Sequence, residues 1–280
     1  MMNAPLPKGS FVYFGTPEFS TFVLDGLATV GLVPTLVVTT PDKPAGRGLA
    51  PTASPVKRWA VAHGIPLLQP EIFDEATIVA LREINCDTAI VAAYGKILPA
   101  SVLTLFPHCA YNVHPSLLPR YRGTSPVESQ ILADEPHVGV SVILMDEQMD
   151  HGPIVAQEEM PQPDWPVARS VLNGRLWSAG GRLLARVLVD GAPEPRVQDH
   201  TQATFTKKIH KEDGELDLAS SDRKNYLKYL AYEGWPSTYF FKDGTRYKIT
   251  KASFQNGRFV VERVIPEGKR EVGWSSAESA

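Results

Sequence analysis

The sequence contains only two cysteines, Cys86 and Cys109, among 280 residues, and each lies beside an apolar stretch. So few cysteines exclude a disulfide framework and predict two buried thiols in a reducing compartment. Apolar runs of about 18 residues, which would span a membrane, do not occur, and residues 1–10 lack the apolar core of a secretory signal. We therefore expect a cytoplasmic protein that has no membrane partner.

The glycines of the common nucleotide-binding loops are also missing. The first apolar run ends in Gly15-Thr-Pro-Glu-Phe19, where a dinucleotide site needs Gly-x-Gly-x-x-Gly, and no Gly-Lys-Ser/Thr loop follows. Ser116 lacks the Gly-x-Ser-x-Gly context of a nucleophilic serine. The seven histidines, at 63, 108, 114, 137, 151, 200 and 210, have no metal-binding spacing. The sequence therefore argues against nicotinamide, ATP and metal chemistry.

No large excess of charge is present, since the formal net charge is -3. This argues against a general nucleic-acid binder, and DNA is not an expected partner. The charge is unevenly distributed, however. Residues 205–280 contain 14 Lys/Arg and 11 Asp/Glu, a net charge of +3, whereas residues 1–204 contain 14 and 20, a net charge of -6. The C-terminal segment is compatible with contact to a phosphate backbone or with an ordinary solvated surface.

The first two thirds of the chain alternate between short apolar runs and helical patterns. The predicted strands are Phe11–Gly15, Thr35–Thr39, Thr88–Ala93, Ala110–His114 and Gly139–Leu144, and Pro66–Pro70 is predicted as a short extended segment. This alternation predicts an α/β fold with a mostly parallel sheet. A polar linker at 193–205 precedes a helix at 221–232 and two hairpins marked by Asp243-Gly244 and Asn256-Gly257. We predict two domains, residues 1–200 and residues 205–280.

Two helix starts carry local signals. Thr16, followed by Pro17 and Glu18, is predicted to cap the first helix. Ser54 is predicted to cap the second in the same way, because Pro55 follows it.

Asn112 and His114 are the first candidates for chemistry. Residues two apart in a strand face the same way, and Pro115 ends the strand directly after them. Asp150 follows another strand, and a carboxylate near a histidine can set its tautomer. Taken singly, a histidine and an asparagine of this kind are more often structural, and an acidic loop at a strand end is often only a solvated turn. Together, and without a covalent nucleophile, they suit acyl transfer between two bound substrates.

Several longer motifs resemble those of the folate-dependent formyltransferase family, from near the start to about residue 215. They are Phe14–Phe19, Pro41–Gly48 (Pro-Asp-Lys-Pro-Ala-Gly-Arg-Gly), Pro55-Val-Lys57, Ala93–Pro99, Asn112–Gly123, Met145-Asp146, Asp150-His-Gly152 and Lys208–Lys211. The run Asn-x-His-x-Ser-Leu-Leu-Pro with the later Asp is specific for formyl transfer. The Pro41–Gly48 loop and the following Pro-Val-Lys resemble the corresponding segments of those family members that act on methionyl-tRNA.

The resemblance implies a Rossmann-like catalytic domain followed by a small OB-like β domain. It implies 10-formyltetrahydrofolate as donor, the amine of initiator methionyl-tRNA as acceptor, and no metal. By matching position, the implied catalytic residues are Asn112, His114 and Asp150. The implied folate-binding residues are Gly95, Lys96, Ile97, Leu98, Ser116, Leu117, Leu118 and Pro119, and the implied tRNA-binding residues are Phe19, Lys43, Arg47 and Lys57.

Three departures from the family pattern stand out. The loop after Gly48 has few basic residues, the C-terminal β domain looks shortened, and His151 replaces a smaller residue. Three alternatives remain at this stage: an N-formyltransferase acting on a nucleotide-linked amino sugar, a more distant hydrolase of formyl-folate in which water replaces the amine, and a non-catalytic RNA-binding relative. We expect a monomer, because no interface pattern is evident.

Overall fold

The computed structural model describes residues 11–45, 50–107 and 109–274. The contacts divide the chain into two compact units. The first contains residues up to Arg122 together with Gly139–Met160 and Asn173–Thr204. The second contains Gly123–Val138, Pro161–Leu172 and the residues from Phe205 onward. Two segments of the second unit fall within the range 1–200, so this grouping differs from the sequence-based domain boundary, which stays a prediction.

The first unit is built on a seven-stranded sheet. Its strands are β1 (Phe11–Gly15), β2 (Leu36–Val38), β5 (Leu67–Leu68), β6 (Thr88–Ala92), β7 (Cys109–His114), β8 (His137–Leu144) and β9 (Ile154–Pro161). They lie in the order β5-β2-β1-β6-β7-β8-β9. Pairing from β5 to β7 is parallel, and β8 is antiparallel to β7. The predicted mostly parallel α/β sheet is therefore confirmed.

Helices follow most of these strands. They are α1 (Glu18–Ala28), α2 (Pro55–Ala62), α3 (Glu75–Glu83), α4 (Ala100–Leu103) and α6 (Arg169–Asp190), and a short β3 (Lys43–Ala45) pairs with β4 (Ala50–Thr52). Because side chains alternate along a strand, Phe11 and Tyr13 of β1 belong to one apolar cluster, and Val12 and Phe14 belong to another. Both faces of the sheet are thus buried, as its near-continuous apolar strands require.

The two predicted helix caps have different outcomes. The hydroxyl of Ser54 accepts the backbone N–H of Lys57 at 3.0 Å, so the predicted cap of α2 is confirmed. The predicted cap by Thr16 is wrong, since α1 begins at Glu18 after Pro17 at the N-cap. The Thr16 hydroxyl instead donates to the carbonyl of Tyr94 at 2.7 Å, which ties the loop after β1 to the loop after β6.

The second unit contains α5 (Pro126–Leu132), α7 (Asp222–Ala231) and a four-stranded antiparallel sheet of β10 (Tyr239–Lys242), β11 (Thr245–Gln255), β12 (Arg258–Pro266) and β13 (Val272–Gly273). Both predicted hairpins are confirmed, and both central residues of each turn have positive φ, from 49° to 78°, as a type I′ turn needs. The expected small β domain is present in the described residues. It has one strand fewer than the five of an OB barrel.

Short 3₁₀ turns at His200–Gln202 and Lys211–Gly214 complete the description. Among the residues that the structure describes, no helix is both long enough and apolar enough to cross a bilayer.

Candidate active site

Strand β7 brings Asn112 and His114 to one side of the sheet. The His114 side chain is 5% exposed, and Asn112 is half-buried. Strand β6 runs parallel to β7, with Val91 opposite Asn112, so the loop after β6 leaves the sheet at the same edge as His114. The predicted strand-end pair therefore lies where open α/β sheets bind their ligands.

Asp150 reaches the same place by a route that the sequence does not reveal. Because β8 is antiparallel to β7, its carboxyl end lies at the amino end of β7, where the Met145 N–H donates to the carbonyl of Ala110 at 2.8 Å. The loop then turns back. The Asn112 amide donates to Asp150 Oδ1 at 3.2 Å, and His114 Nδ1 lies 3.5 Å from the same oxygen. One carboxylate oxygen thus faces both predicted partners.

The other ring nitrogen of His114 is also engaged. Its Nε2 lies 2.9 Å from the carbonyl oxygen of Tyr121. A carbonyl can only accept, so Nε2 carries a proton, and Nδ1 is protonated only in the imidazolium form. The ring orientation is therefore set from both sides, by Asp150 and by the backbone at Tyr121.

The loop that carries Asp150 has a tightly constrained backbone. Asp150 has φ of 52°, which is rare for a residue with a side chain. A Cβ atom on Gly152 would overlap the carbonyl oxygen of Leu144. His151 is held as well, because its Nδ1 lies 2.6 Å from Asp146 Oδ2 and its ring stacks on His200 with 4.1 Å between centroids. The His151 ring is thus held between Asp146 of the same loop and His200.

A buried cation lies behind this loop. Arg122 is 3% exposed, and its guanidinium donates to Gln198 Oε1 at 3.2 and 2.7 Å. Burial lowers the pKa of Arg122, while the negative charges of Asp150 and Asp146 oppose that change. The guanidinium thus provides positive charge beside the two carboxylates of the loop.

The loop after β6 contains the first group of predicted folate-binding residues. Gly95 has φ of 84°, and apart from its chain neighbours no atom of the described residues lies within 4 Å of where its Cβ would be, so space is open above its backbone. Ile97 is 77% exposed, whereas Leu98 is buried. Lys96 Nζ donates to the carbonyls of Pro70 and Glu71 at 2.8 and 2.7 Å, so its ammonium fastens this loop to the next one. The backbone at Gly95 and the side chain of Ile97 are therefore both open to solvent.

The second predicted group, Ser116 to Pro119, is largely internal. Ser116 is fully buried and donates to the carbonyl of Arg120 at 2.7 Å, and Leu118 is 3% exposed. The Ser141 hydroxyl donates to the carbonyl of Ser116 at 2.6 Å. These internal hydrogen bonds and buried side chains define the turn after β7, and the segment exposes little side-chain surface.

The predicted tRNA-binding residues have different surroundings. Lys43 is exposed, whereas Lys57 Nζ lies 2.8 Å from Asp42 Oδ2. The hydrogen bond from Lys57, and a second from Gln69, lower the pKa of Asp42. Phe19 is half-buried and stacks on Trp177 with 5.0 Å between centroids. Arg47 lies outside the described residues.

The sequence analysis did not identify three residues that lie around Asn112, His114 and Asp150. Tyr121 and Arg122 belong to the motif Pro119-Arg-Tyr-Arg-Gly123. That motif contributed to the family resemblance, but it gave no role for either residue. Gln198 lies in the predicted polar linker, where no pattern distinguishes it. Within residues 11–45, 50–107 and 109–274, no three His, Cys, Asp or Glu residues are grouped as a metal ion would require.

The geometry and the similarity to known proteins agree on the class of protein. The family model described as formyl transferase matches residues 10–188, and the chain belongs to this family. Among relatives, the methionyl-tRNA formyltransferase of Thermus thermophilus is 43% identical over 263 residues, which cover 91% of this chain and 85% of that protein. The enzyme of the same name from Chloroflexus aurantiacus is 42% identical over 247 residues, covering 86% and 79%.

A solved structure shares the fold at lower identity. HypX from Aquifex aeolicus, in complex with tetrahydrofolic acid, aligns with a TM-score of 0.68 at 14% identity over 98% of this chain and 47% of that one. At this identity the likeness supports the fold alone.

Proposed function

We propose that this protein transfers a formyl group from 10-formyltetrahydrofolate to the α-amino group of methionyl-initiator tRNA, in the cytoplasm. The observation that carries the proposal is the convergence of Asn112 and His114 on one oxygen of Asp150. The relatives at 42–43% identity, which bear the name methionyl-tRNA formyltransferase, support the choice of acceptor.

The reaction joins the methionyl nitrogen to the formyl carbon and breaks the bond from that carbon to the folate nitrogen. The amine loses a proton, and the folate nitrogen gains one. The bound folate supplies the electrophilic formyl carbon. The protein must therefore stabilise the negative charge that develops on the formyl oxygen and accept a proton from the amine.

The three residues can divide these tasks. The Asn112 amide and, in its cationic form, the Nδ1–H of His114 donate to the developing oxyanion. The Tyr121 carbonyl keeps His114 Nε2 occupied at 2.9 Å, so only Nδ1 is directed at Asp150. The Asp150 carboxylate stabilises the cationic ring and helps remove the amine proton. None of these steps needs a covalent bond to the protein.

The donor and the acceptor draw on the predicted binding residues. The loop that contains Gly95 to Leu98 leaves the sheet at the same edge as His114, and it forms one side of the proposed folate site. For the tRNA, exposed Lys43 and the Arg47 loop provide positive charge, and residues 205–280 carry a net charge of +3. We propose that these segments contact the acceptor end and the phosphate backbone, with the chain acting as a monomer.

The test is a formyl-transfer assay with 10-formyltetrahydrofolate and three acceptors. They are charged initiator methionyl-tRNA, charged elongator methionyl-tRNA and a nucleotide-linked amino sugar. Selective formylation of the initiator is the expected result. Folate-dependent transfer to the sugar alone would refute the acceptor and keep the catalytic residues. Binding of tRNA with no transfer to any acceptor would refute the enzyme.

A further inference from the structure

Gln198 connects the Asp150 loop to the interior through both ends of its amide. The side chain is 4% exposed, and its Nε2 donates to the carbonyls of Asp150 at 2.9 Å and Gly152 at 2.7 Å. Both amide hydrogens are thereby used on the two carbonyls that flank His151. Gln198 therefore spans the turn that places the Asp150 carboxylate.

The other end of the amide is fixed equally firmly. Gln198 Oε1 accepts from Nε and Nη2 of Arg122, and that Nη2 also lies 2.9 Å from His200 Nδ1. A guanidinium only donates and carbonyls only accept, so the amide has a single orientation. Arg122 fixes Gln198, and Gln198 fixes the loop.

The same segment also holds the opposite partner of His114. The Tyr121 N–H donates to Thr204 Oγ1 at 2.8 Å, and the Thr204 N–H donates to the carbonyl of Pro119 at 3.3 Å. Tyr121, like Asp150, has positive φ, at 61°. Such conformations persist where the surroundings over-determine them. Two residues of the segment 196–204, named here the strap, thus hold both groups that orient the His114 ring: Gln198 holds the Asp150 loop and Thr204 holds Tyr121.

We propose that Gln198 is a positioning residue for formyl transfer. By gripping the carbonyls of Asp150 and Gly152, it keeps Asp150 Oδ1 in reach of both Asn112 and His114 Nδ1. Its role lies in the alignment of these groups, not in contact with substrate. The expected loss of kcat rests on the proposed function. The orientation of His114 does not, because it can be observed without turnover.

The test is the variant Gln198→Glu, compared with Gln202→Glu. The carboxylate introduced by Gln198→Glu keeps the length of the side chain and an acceptor for Arg122, but it cannot donate to the two carbonyls. Gln202 stands in the same strap, is exposed, and donates to Asp199 at 2.9 Å. It therefore controls for the added charge and for changes in the strap itself.

We expect Gln198→Glu to lower kcat about 100-fold, because a displacement of about 1 Å at a reacting group can cost that much. KM for both substrates should change little, and Gln202→Glu should keep normal kcat. Histidine ¹⁵N NMR, with the His114 signal assigned from a His114→Gln variant, should show an altered Nδ1 environment in Gln198→Glu alone. The melting temperatures of both variants are measured alongside.

Wild-type kcat in Gln198→Glu would overturn the proposal. So would an unchanged His114 signal in a variant whose kcat falls together with its melting temperature, because that pattern indicates a structural role alone. If the wild-type protein formylates no acceptor, the proposed function fails instead. The NMR comparison then still decides whether Gln198 positions the Asp150–His114 pair.

Discussion

His114 Nε2 lies 2.9 Å from the carbonyl oxygen of Tyr121, and this contact determines what the histidine can do. The proton on Nε2 is committed to the carbonyl, so the ring can donate towards Asp150 or a substrate only through Nδ1, and only as the imidazolium. Asp150, whose side chain is 11% exposed, has its Oδ1 3.5 Å from Nδ1, so it faces the one ring nitrogen that the Tyr121 carbonyl leaves available. In the proposed mechanism His114 and Asp150 act as one unit, so we expect a substitution in either to impair the contribution of both.

The first prediction concerns the shared oxygen of Asp150. Asp150→Asn should lower kcat about 10²–10⁴-fold, because it removes the charge that stabilises His114 and accepts the proton. Asn112→Ala should lower kcat about 10²–10³-fold through loss of one oxyanion donor. The double variant should lose less than the product of these factors, since both act through one oxygen. Single-turnover formyl transfer measures all three.

Asp87→Asn is the control, because Asp87 is an exposed carboxylate directly before β6. It should keep normal turnover. Multiplicative losses in the double variant would contradict a shared role, and near-normal kcat in Asp150→Asn would remove Asp150 from the mechanism.

The second prediction uses the close approach at Gly152. Gly152→Ala places a methyl group on the Leu144 carbonyl oxygen, which is backbone and cannot move aside. The turn must shift, so Asp150 leaves its partners and kcat should fall at least as far as in Asp150→Asn. A Cβ on Gly174, in α6, meets no atom within 4 Å in the described part of the chain beyond its neighbours and its own helix backbone, so Gly174→Ala should leave activity intact while raising stability by about 0.5–1 kcal/mol.

Thermal unfolding together with the kinetic assay separates these outcomes. Full activity in Gly152→Ala would show that the loop tolerates the displacement and that the tight turn is not needed for catalysis.

Much of the fold could be predicted from the sequence, for physical reasons. Strands β1 and β6 are buried on both faces and therefore read as unbroken apolar runs. The Asp-Gly and Asn-Gly turns are local signals, because few other residues adopt two successive positive φ angles. Ser54 with Pro55 is a signal of the same local kind.

The position of Asp150 depends on long-range packing, and local patterns do not encode it. It requires the antiparallel pairing of β8, the returning loop, and support from Gln198, 48 residues further along the chain. Neither periodicity nor a motif identifies Gln198. In the sequence, a single glutamine in an irregular segment cannot be distinguished from any other polar linker residue. Thr16 failed as a cap for a related reason: its hydroxyl bonds to Tyr94, 78 residues away.

The third prediction distinguishes two lysines near the predicted tRNA site. Lys43 is exposed, so Lys43→Met should remove one phosphate contact and reduce the slope of log affinity against log salt by about 0.7–0.9. Lys57 is already paired with Asp42, so Lys57→Met should alter the slope less. Titration of tRNA binding over a range of salt concentrations measures both slopes. An equal reduction in both variants would indicate that Lys57 leaves Asp42 and contacts the tRNA directly.

The fourth prediction concerns Tyr94, whose hydroxyl is buried and has no hydrogen-bond partner among the described residues. An unsatisfied buried hydroxyl costs about 1–3 kcal/mol. Tyr94→Phe should therefore leave the free energy of unfolding unchanged or raise it. Tyr13 is the matched comparison, because its buried hydroxyl donates to the Ser20 carbonyl at 2.7 Å. Tyr13→Phe should lower the free energy of unfolding by about 0.5–1.5 kcal/mol.

The buried hydroxyl of Tyr94 should also make the free energy of unfolding depend on pH. Burial raises the pKa of Tyr94 from 10.0 to about 12, so between these values the unfolded chain loses a proton that the folded chain keeps. The unfolded state then binds fewer protons, and the free energy of unfolding falls as the pH rises through this window. Tyr94→Phe should make that fall less steep, as measured by urea unfolding at several pH values. A slope equal to that of the wild type would show that the Tyr94 hydroxyl reaches water in the folded protein.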